Sequence, residues 1–473
     1  MRKLHLLFFA FCFILGACAG PASIQPSPTV TIKNTPVQVP LPATGSATAT
    51  PAGSQATCSR IPLNGAILVM SDTAGSGGKG VAPIDPANGL PLCGFAFMPF
   101  SGEIVYNFSY DGKRLAIVAN YISAEGVLHL VDLQSWKDTL TPVRISGNVR
   151  LITFNPAGTQ VAIAVDYPPS LIIADLKAQK ITAQKTLRFT PYLLRYTPDG
   201  AAIVLFGGED FVPNGTKPKA SAQLLSARDQ SVVWEAPLQG IWAGQSQPKA
   251  DSSDPIFDMW EPGFALTKDG STLYIVHADE DRLTTVNFAR RSVTNADIQP
   301  RLSLMDRLLR FGAGVAEAKG ANGTTKQALL SPDGTRLYVL GMTEQTSVDG
   351  NGNFQVNQTP LGLQVIDPGT GTELKKLDTT AAYFYLSPDA SAVILNNWQD
   401  TSSSSDVVSA RSLKTLKHID QGNIFLANTI GGQELILMQH QPDNHVTVIN
   451  PQSFDPSQAK PWYMPGYSLA YLP

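Results

Sequence analysis

Short apolar runs alternate with polar turn clusters along most of the chain, and one pattern returns seven times. It is an apolar strand, then a turn ending in Gly, then an apolar residue three positions after that Gly. The pattern reads FSYDGKRLAIV around Gly112, FNPAGTQVAIA around Gly158, YTPDGAAIVLF around Gly200 and LTKDGSTLYIV around Gly270. It continues as LSPDGTRLYVL around Gly334, LSPDASAVILN around Ala390 and TIGGQELILM around Gly432. The residue three further on is Leu115, Val161, Ile203, Leu273, Leu337, Val393 or Leu435, apolar each time. Alternating and β-branched flanks of this length are strand patterns. In the turn, Pro presets φ, Asp accepts a local backbone hydrogen bond, and Gly takes the left-handed conformation that returns the chain. A second strand and turn comes next, as in LHLVDLQS, LIIADLKA, LQVIDPGTG and VTVINPQS. Each unit is therefore a four-stranded antiparallel meander, A to D, with the marked turn joining A to B.

The marked turns lie 42 to 70 residues apart. Four-stranded units of about 40–50 residues repeated radially predict an all-β fold, a single β-propeller. The units resemble the YVTN and WD40-like repeats of bacterial propellers, in which S-P-D-G-x-x-h-Y-V and V-I-D-x-x-T-G recur. The resemblance runs from about residue 60 to the C-terminus. It implies the fold and leaves function open, since such propellers include enzymes, sensors and scaffolds. Before the first marked turn, AILVM (66–70) and GVAPIDPANG (80–89) read as B and C strands lacking an A; YSLAYLP (467–473) reads as an A strand lacking its B. The C-terminal strand is expected to join the N-terminal blade and close the ring. Counting that composite gives eight blades, with seven as the alternative if one end unit is irregular.

The N-terminus carries a different signal. Arg2 and Lys3 precede an apolar run from Leu6 to Leu15. The run is too short for a membrane span, which needs roughly 20 residues, and reads as the core of a signal peptide over 1–17. It ends in Leu15-Gly16-Ala17-Cys18, which resembles the bacterial lipobox. That resemblance implies cleavage before Cys18 and a lipid anchor on its thiol, hence an extracytoplasmic, membrane-anchored protein of the cell envelope. Residues 18–57 are almost all Pro, Thr, Ser, Ala, Gly, Val and Gln after the lipidated Cys, a composition that suits a disordered tether. The propeller is expected over 58–473. Cys58 and Cys93 are then the remaining cysteines, an even pair that suggests a disulfide in an oxidising compartment, the alternative being two buried thiols.

Charge adds mainly exclusions. Lys+Arg number 35 against Asp+Glu 38, which argues against a nucleic-acid partner. Charged residues are 15% of the chain, beside 39 Gly and 35 Pro, as in a turn-rich fold rather than one of long helices.

In an up-and-down blade the B–C and D–A loops share one face. The long insertions, 240–262, 300–325 and 342–359, and the smaller ones at 72–79 and 397–406, all fall there. Any site is expected on that top face. The B strands also end there in polar residues: Asp72, Asn120, Asp166, Glu209 with Asp210, His277 with Asp279 and Glu280, Asn396 with Asn397, and His440. The first insertion adds Trp242, Phe257 and Trp260 beside Asp251, Asp254, Asp258 and Glu261, and aromatics beside acids suit a sugar or a cationic group. Trp242, Trp260, Asp166, His277 and Asp279 are the chosen ligand-binding candidates. PRLSLMDRLLRF (300–311) has helical amphipathicity and is expected as a short helix packed on the propeller. Asp349, Asn351 and Asn353 place oxygens at alternate positions as calcium loops do, but the Gly and bidentate Glu of a full loop are missing. Calcium there is the one cofactor considered; otherwise none is expected.

No nucleophile–base–orienter set, phosphate loop or dinucleotide fingerprint is present in the sequence. The reading favours a non-catalytic binding or scaffold module for an envelope protein or glycan. The alternative is a hydrolase or lyase, lactonase-like, using a divalent cation on the top face.

Overall fold

The computed structural model describes residues 67–471 apart from 73–78, 88, 91, 93–97, 101–102, 121–124, 214–215, 248–257, 301–322, 349–353, 400–401, 421, 431–432, 441–444, 457–460 and 464–467. Cys18, Cys58, Cys93, the 301–311 segment and the Asp349, Asn351, Asn353 loop lie outside the described residues.

The marked turns form as their composition dictates. Gly112, Gly158, Gly200, Gly270 and Gly334 have φ between +65° and +71°, and Ala390 adopts φ 55° in the same role. Asp carboxylates accept the backbone N–H two residues on, as Asp199 does from Ala201 at 3.0 Å and Asp389 from Ser391 at 3.0 Å. The apolar residues three positions past the turn are buried at Leu115, Val161, Ile203, Leu273, Leu337 and Val393.

The strands build a β-propeller. The 148–186 blade is representative: Asn148–Phe154, Gln160–Asp166, Ser170–Asp175 and Lys180–Thr186 pair in sequence, each antiparallel to the last. Apolar side chains on both faces of each sheet pack against the next, in chain order. Val118, Leu128 and Ile145 meet Ile152, Ile163 and Ile172; Ala162 and Leu171 meet Tyr196, Ile203 and Leu205. Farther round, Phe206 and Ala222 meet Leu273, Ile275 and Phe288, and Ile394 and Val407 meet Ile424, Ile436 and Ile449. Burial on both faces explains why the B strands read as continuous apolar runs rather than alternations. The C-terminal strand Ser468–Tyr471 pairs antiparallel with Ile67–Asp72, as the two orphan ends of the chain suggest.

The blade count is corrected. Among the described residues the structure has five four-stranded blades, not eight or seven. The remaining strands merge into one eleven-stranded and one five-stranded sheet. The cause lies in the insertions, which the sequence presents as loops. Gly244–Ser246 pairs parallel with the end of Ala202–Val212, and antiparallel with Asp258–Glu261. Asp258–Glu261 in turn pairs parallel with Gly323–Leu330, so a two-stranded ribbon welds the 190–235 meander to the 323–377 meander. The pair Gln299–Pro300 adds to Thr372–Leu377, and Val143–Ile145 adds a fifth strand to the 103–138 meander.

Candidate functional site

The top face gathers its charge around Arg150, which sits near the start of an A strand. Arg150 Nη1 lies 3.4 Å from Oδ2 of Asp166, at the end of the adjoining B strand. Its guanidinium covers the ring of Tyr192, 5.2 Å from the centroid, at the start of the next A strand. The Tyr192 hydroxyl donates to Asp210 Oδ1 at 3.4 Å, near the end of the following B strand. Two blades thus contribute a linked row, Asp166–Arg150–Tyr192–Asp210. Glu261, the last residue of the bridging ribbon, also feels Arg150, and feels Glu344 from the 323–377 meander.

One guanidinium cannot balance four carboxylates, one buried and three half-buried. Asp166 is 2% exposed, and burial pushes its carboxyl up to about 7, against Arg150 and with Asp210. Burial raises Asp210, Glu261 and Glu344 in the same direction. Asp166 Oδ1 is buried without a hydrogen-bond partner, which a shared or bound proton would explain. Clustered, environmentally shifted acids at one face mark a candidate functional site.

A second arrangement lies on the other side of the ribbon. Neighbouring residues of a strand point to opposite faces, so Trp260 turns away from Glu261. It turns toward Lys217, whose Nζ is 6.0 Å from the Trp260 ring and 5.4 Å from the Trp242 ring. The same ammonium pairs with Asp279 Oδ2 at 2.7 Å. Trp242, Trp260 and Asp279, three of the five candidates, are therefore brought together. Lys217 was absent from the sequence reading because nothing in the B–C loop around it marks it. Its role is set by residues 25, 43 and 62 positions away.

His277 is placed differently. Its ring is 1% exposed, and Thr284 Oγ1 lies 2.8 Å from Nε2. Thr284 donates onward to Asn295 Oδ1 at 2.6 Å, so it accepts from His277 Nε2–H. Burial, with Arg282 and Lys326 nearby, lowers the imidazole to about 4 and keeps it neutral. His440 makes the same bond to Thr447 Oγ1 at 2.9 Å, again seven residues on. The His-to-Thr bond ties a B strand to its C strand inside the blade. Lys326, also buried, donates to the carbonyls of His277 and Glu280 at 2.6 and 3.1 Å, which fastens that B–C turn to the next meander.

Among the described residues no three His, Cys, Asp or Glu side chains form a group that could hold a metal ion. Arg150 and Tyr192 open A strands, whereas the polar positions read from the sequence are B-strand ends; Glu344 lies in the B strand Leu337–Val348, which runs on into the stretch the sequence presents as the 342–359 insertion. The available signal was a polar residue two or three positions into an A strand.

No protein-family model matches the chain, and no curated protein matches it in sequence. Solved structures do resemble it in fold. The dihydro-heme d1 dehydrogenase NirN in complex with DHE superposes over 87% of this chain and 76% of its own, with a TM-score of 0.53 at 12% identity. The periplasmic gluconolactonase PpgL of Pseudomonas aeruginosa matches 78% of this chain and 98% of its own at TM-score 0.41 and 13% identity. The Myceliophteria thermophila Cps50 (Swd1) β-propeller domain matches 74% and 96% at TM-score 0.40 and 12% identity. At these identities the likeness is one of fold.

Proposed function

We propose that the chain is an extracytoplasmic, lipid-anchored binding module, non-catalytic, whose top face takes a protein or glycan of the cell envelope. The observation that carries this reading is the Trp242–Lys217–Trp260–Asp279 arrangement. Segments distant in sequence converge there, and the two half-buried indoles are held in place by a charge they share. Lys217 already occupies the position an external cation would take against the rings. What remains for a partner is indole edge, an ammonium and a carboxylate, a mixture of amphipathic area and hydrogen-bonding groups suited to protein or saccharide surfaces. The lipobox at Cys18 and the Pro/Thr/Ser segment after it support presentation of this face away from a bilayer.

Photo-crosslinking in the native cells tests it. A benzophenone residue at position 242 or 260 is expected to give a discrete adduct with an envelope protein or glycan, and one at 199, in a marked turn, to give none. Equal labelling from both positions, or none from 242 and 260, argues against a top-face binding role. In the same cells Cys18→Ser is expected to abolish incorporation of an alkyne fatty acid and to release the chain from the membrane fraction.

A further inference from the structure

Away from the Arg150 cluster, the 323–377 meander and the 383–419 blade pack through Tyr338, Leu363, Phe384 and Leu395. Toward the loop face that packing gives way to an open cavity of about 550 Å³. Its wall carries Asp378, Thr379, Thr380, Asn397 and Asp406, beside Gly362. The backbone explains the opening. Gly341 pairs with Gly362 but Met342 pairs with Pro360, which leaves Leu361 as the extra residue of a β-bulge. Bulges bend a strand and re-aim the residues beyond them. Gly362, at φ +82°, lies so close to the neighbouring strand that a Cβ there would sit 2.7 Å from the Leu377 carbonyl oxygen. That approach sets Asp378 at the rim.

The polar groups are organised, not scattered. Thr380 Oγ1 donates to Asn397 Oδ1 at 3.2 Å, and Asn397 Nδ2 donates to Asp406 Oδ2 at 2.9 Å. The other Asp406 oxygen accepts from His418 Nδ1 at 2.6 Å, while His418 Nε2 faces Asp420 Oδ1 at 3.0 Å. Asn397, 9% exposed, is thus anchored at both ends of its amide and keeps a second Nδ2 hydrogen beside the lone pairs of Asp406. Thr379 Oγ1 accepts from the Ala381 N–H at 3.2 Å, so its own hydrogen can be donated.

We propose that this cavity binds a small neutral saccharide or polyol, with adjacent hydroxyls bridging the Asn397 amide and the Asp406 carboxylate and others meeting Asp378 and Thr379. A sugar hydroxyl donates and accepts at once, which is what a fixed amide beside a carboxylate offers. Two carboxylates in the wall disfavour phosphate and carboxylate ligands. Among the described residues the wall holds no aromatic ring, so a planar ligand has nothing to stack on. The volume falls within the roughly 300–1,000 Å³ of small-molecule sites. The cavity is separate from the Trp242 and Trp260 platform, so the two readings stand or fall independently.

Isothermal titration of the mature chain with D-glucose, D-galactose, N-acetyl-D-glucosamine and myo-inositol, with putrescine as the cationic control, tests the assignment. At least one of the four is expected to saturate with Kd of about 1 mM or tighter. Asp378→Asn and Thr379→Val, both on the cavity wall, are each expected to weaken it about fivefold with Tm unchanged, the effect of one lost hydrogen bond. Lys180→Ala, exposed on the outer strand of the 148–186 blade, is expected to leave the affinity as it was. Failure of all four to saturate, binding of putrescine alone, or loss of sugar binding with Trp242→Ala but not Asp378→Asn would each overturn the proposal.

Discussion

At the scale of single residues, the repeated turn shows how much chemistry four positions can hold. In five of the turns a hydroxyl two residues before the Asp donates to it: Ser109 to Asp111, Thr197 to Asp199, Thr267 to Asp269 and Ser387 to Asp389 at 2.6 Å, and Ser331 to Asp333 at 2.5 Å. That bond is the main reason the Asp111, Asp199, Asp269 and Asp333 carboxyls sit below the ordinary range. The residues were plain in SYDG, TPDG, TKDG and SPDG, and the turn's strength was legible locally. Asp166 is the opposite case. Its carboxyl, ordinarily near 3.8, rises to about 7 because burial outweighs Arg150, and no neighbour in sequence announces that. The fold therefore binds this proton more tightly than the unfolded chain does. The associated stability is fully present below about pH 4 and is lost as pH rises toward 7, by up to roughly 4 kcal/mol. Asp166→Asn is expected to flatten the fall of Tm between pH 5 and 8 without removing it, since Asp210, Glu261 and Glu344 are raised too. Parallel profiles for the two proteins would show that Asp166 is not the titrating group.

At the scale of elements, the bridging ribbon decides where the candidate site forms. Gly244 has φ +116°, and a Cβ built on it would lie 1.8 Å from the Glu209 carbonyl oxygen. Only Gly lets this strand run beside Ala202–Val212, and the ribbon then carries Glu261 toward Arg150 and Trp260 toward Lys217. Gly244→Ala is expected to cost on the order of 3–5 kcal/mol, the range of severe backbone clashes, and to lower Tm accordingly. It should also shift tryptophan fluorescence, because Trp260 loses its support. A Tm within about 1 °C of wild type, roughly 1 kcal/mol or less for a domain of this size, would mean the ribbon contributes little. Nothing in AGQS or DMWE marks a parallel pairing. Short strands of three or four residues have too few side chains to show a period, and their partners are set by what lies across the ring.

At the scale of the whole molecule, the ring is closed by pairing Ile67–Asp72 with Ser468–Tyr471. Removing residues 467–473 leaves that strand with an open edge, a template for pairing with another chain. The truncated protein is expected to lose amide-exchange protection over 67–72, to melt on the order of 3–5 °C lower and to self-associate. Unchanged protection would mean the closure does not hold the first blade. The all-β meander, its turns and the meeting of the two chain ends were all contained in the sequence, because each depends on hydrophobic period, on turn chemistry or on an incomplete unit needing its complement. The sheet count, the pairing of Lys217 with two indoles, the neutral His277 and the Arg150 cluster were decided only by the tertiary structure. Burial, dielectric and parallel pairing depend on which remote residues become neighbours, and no local pattern encodes that.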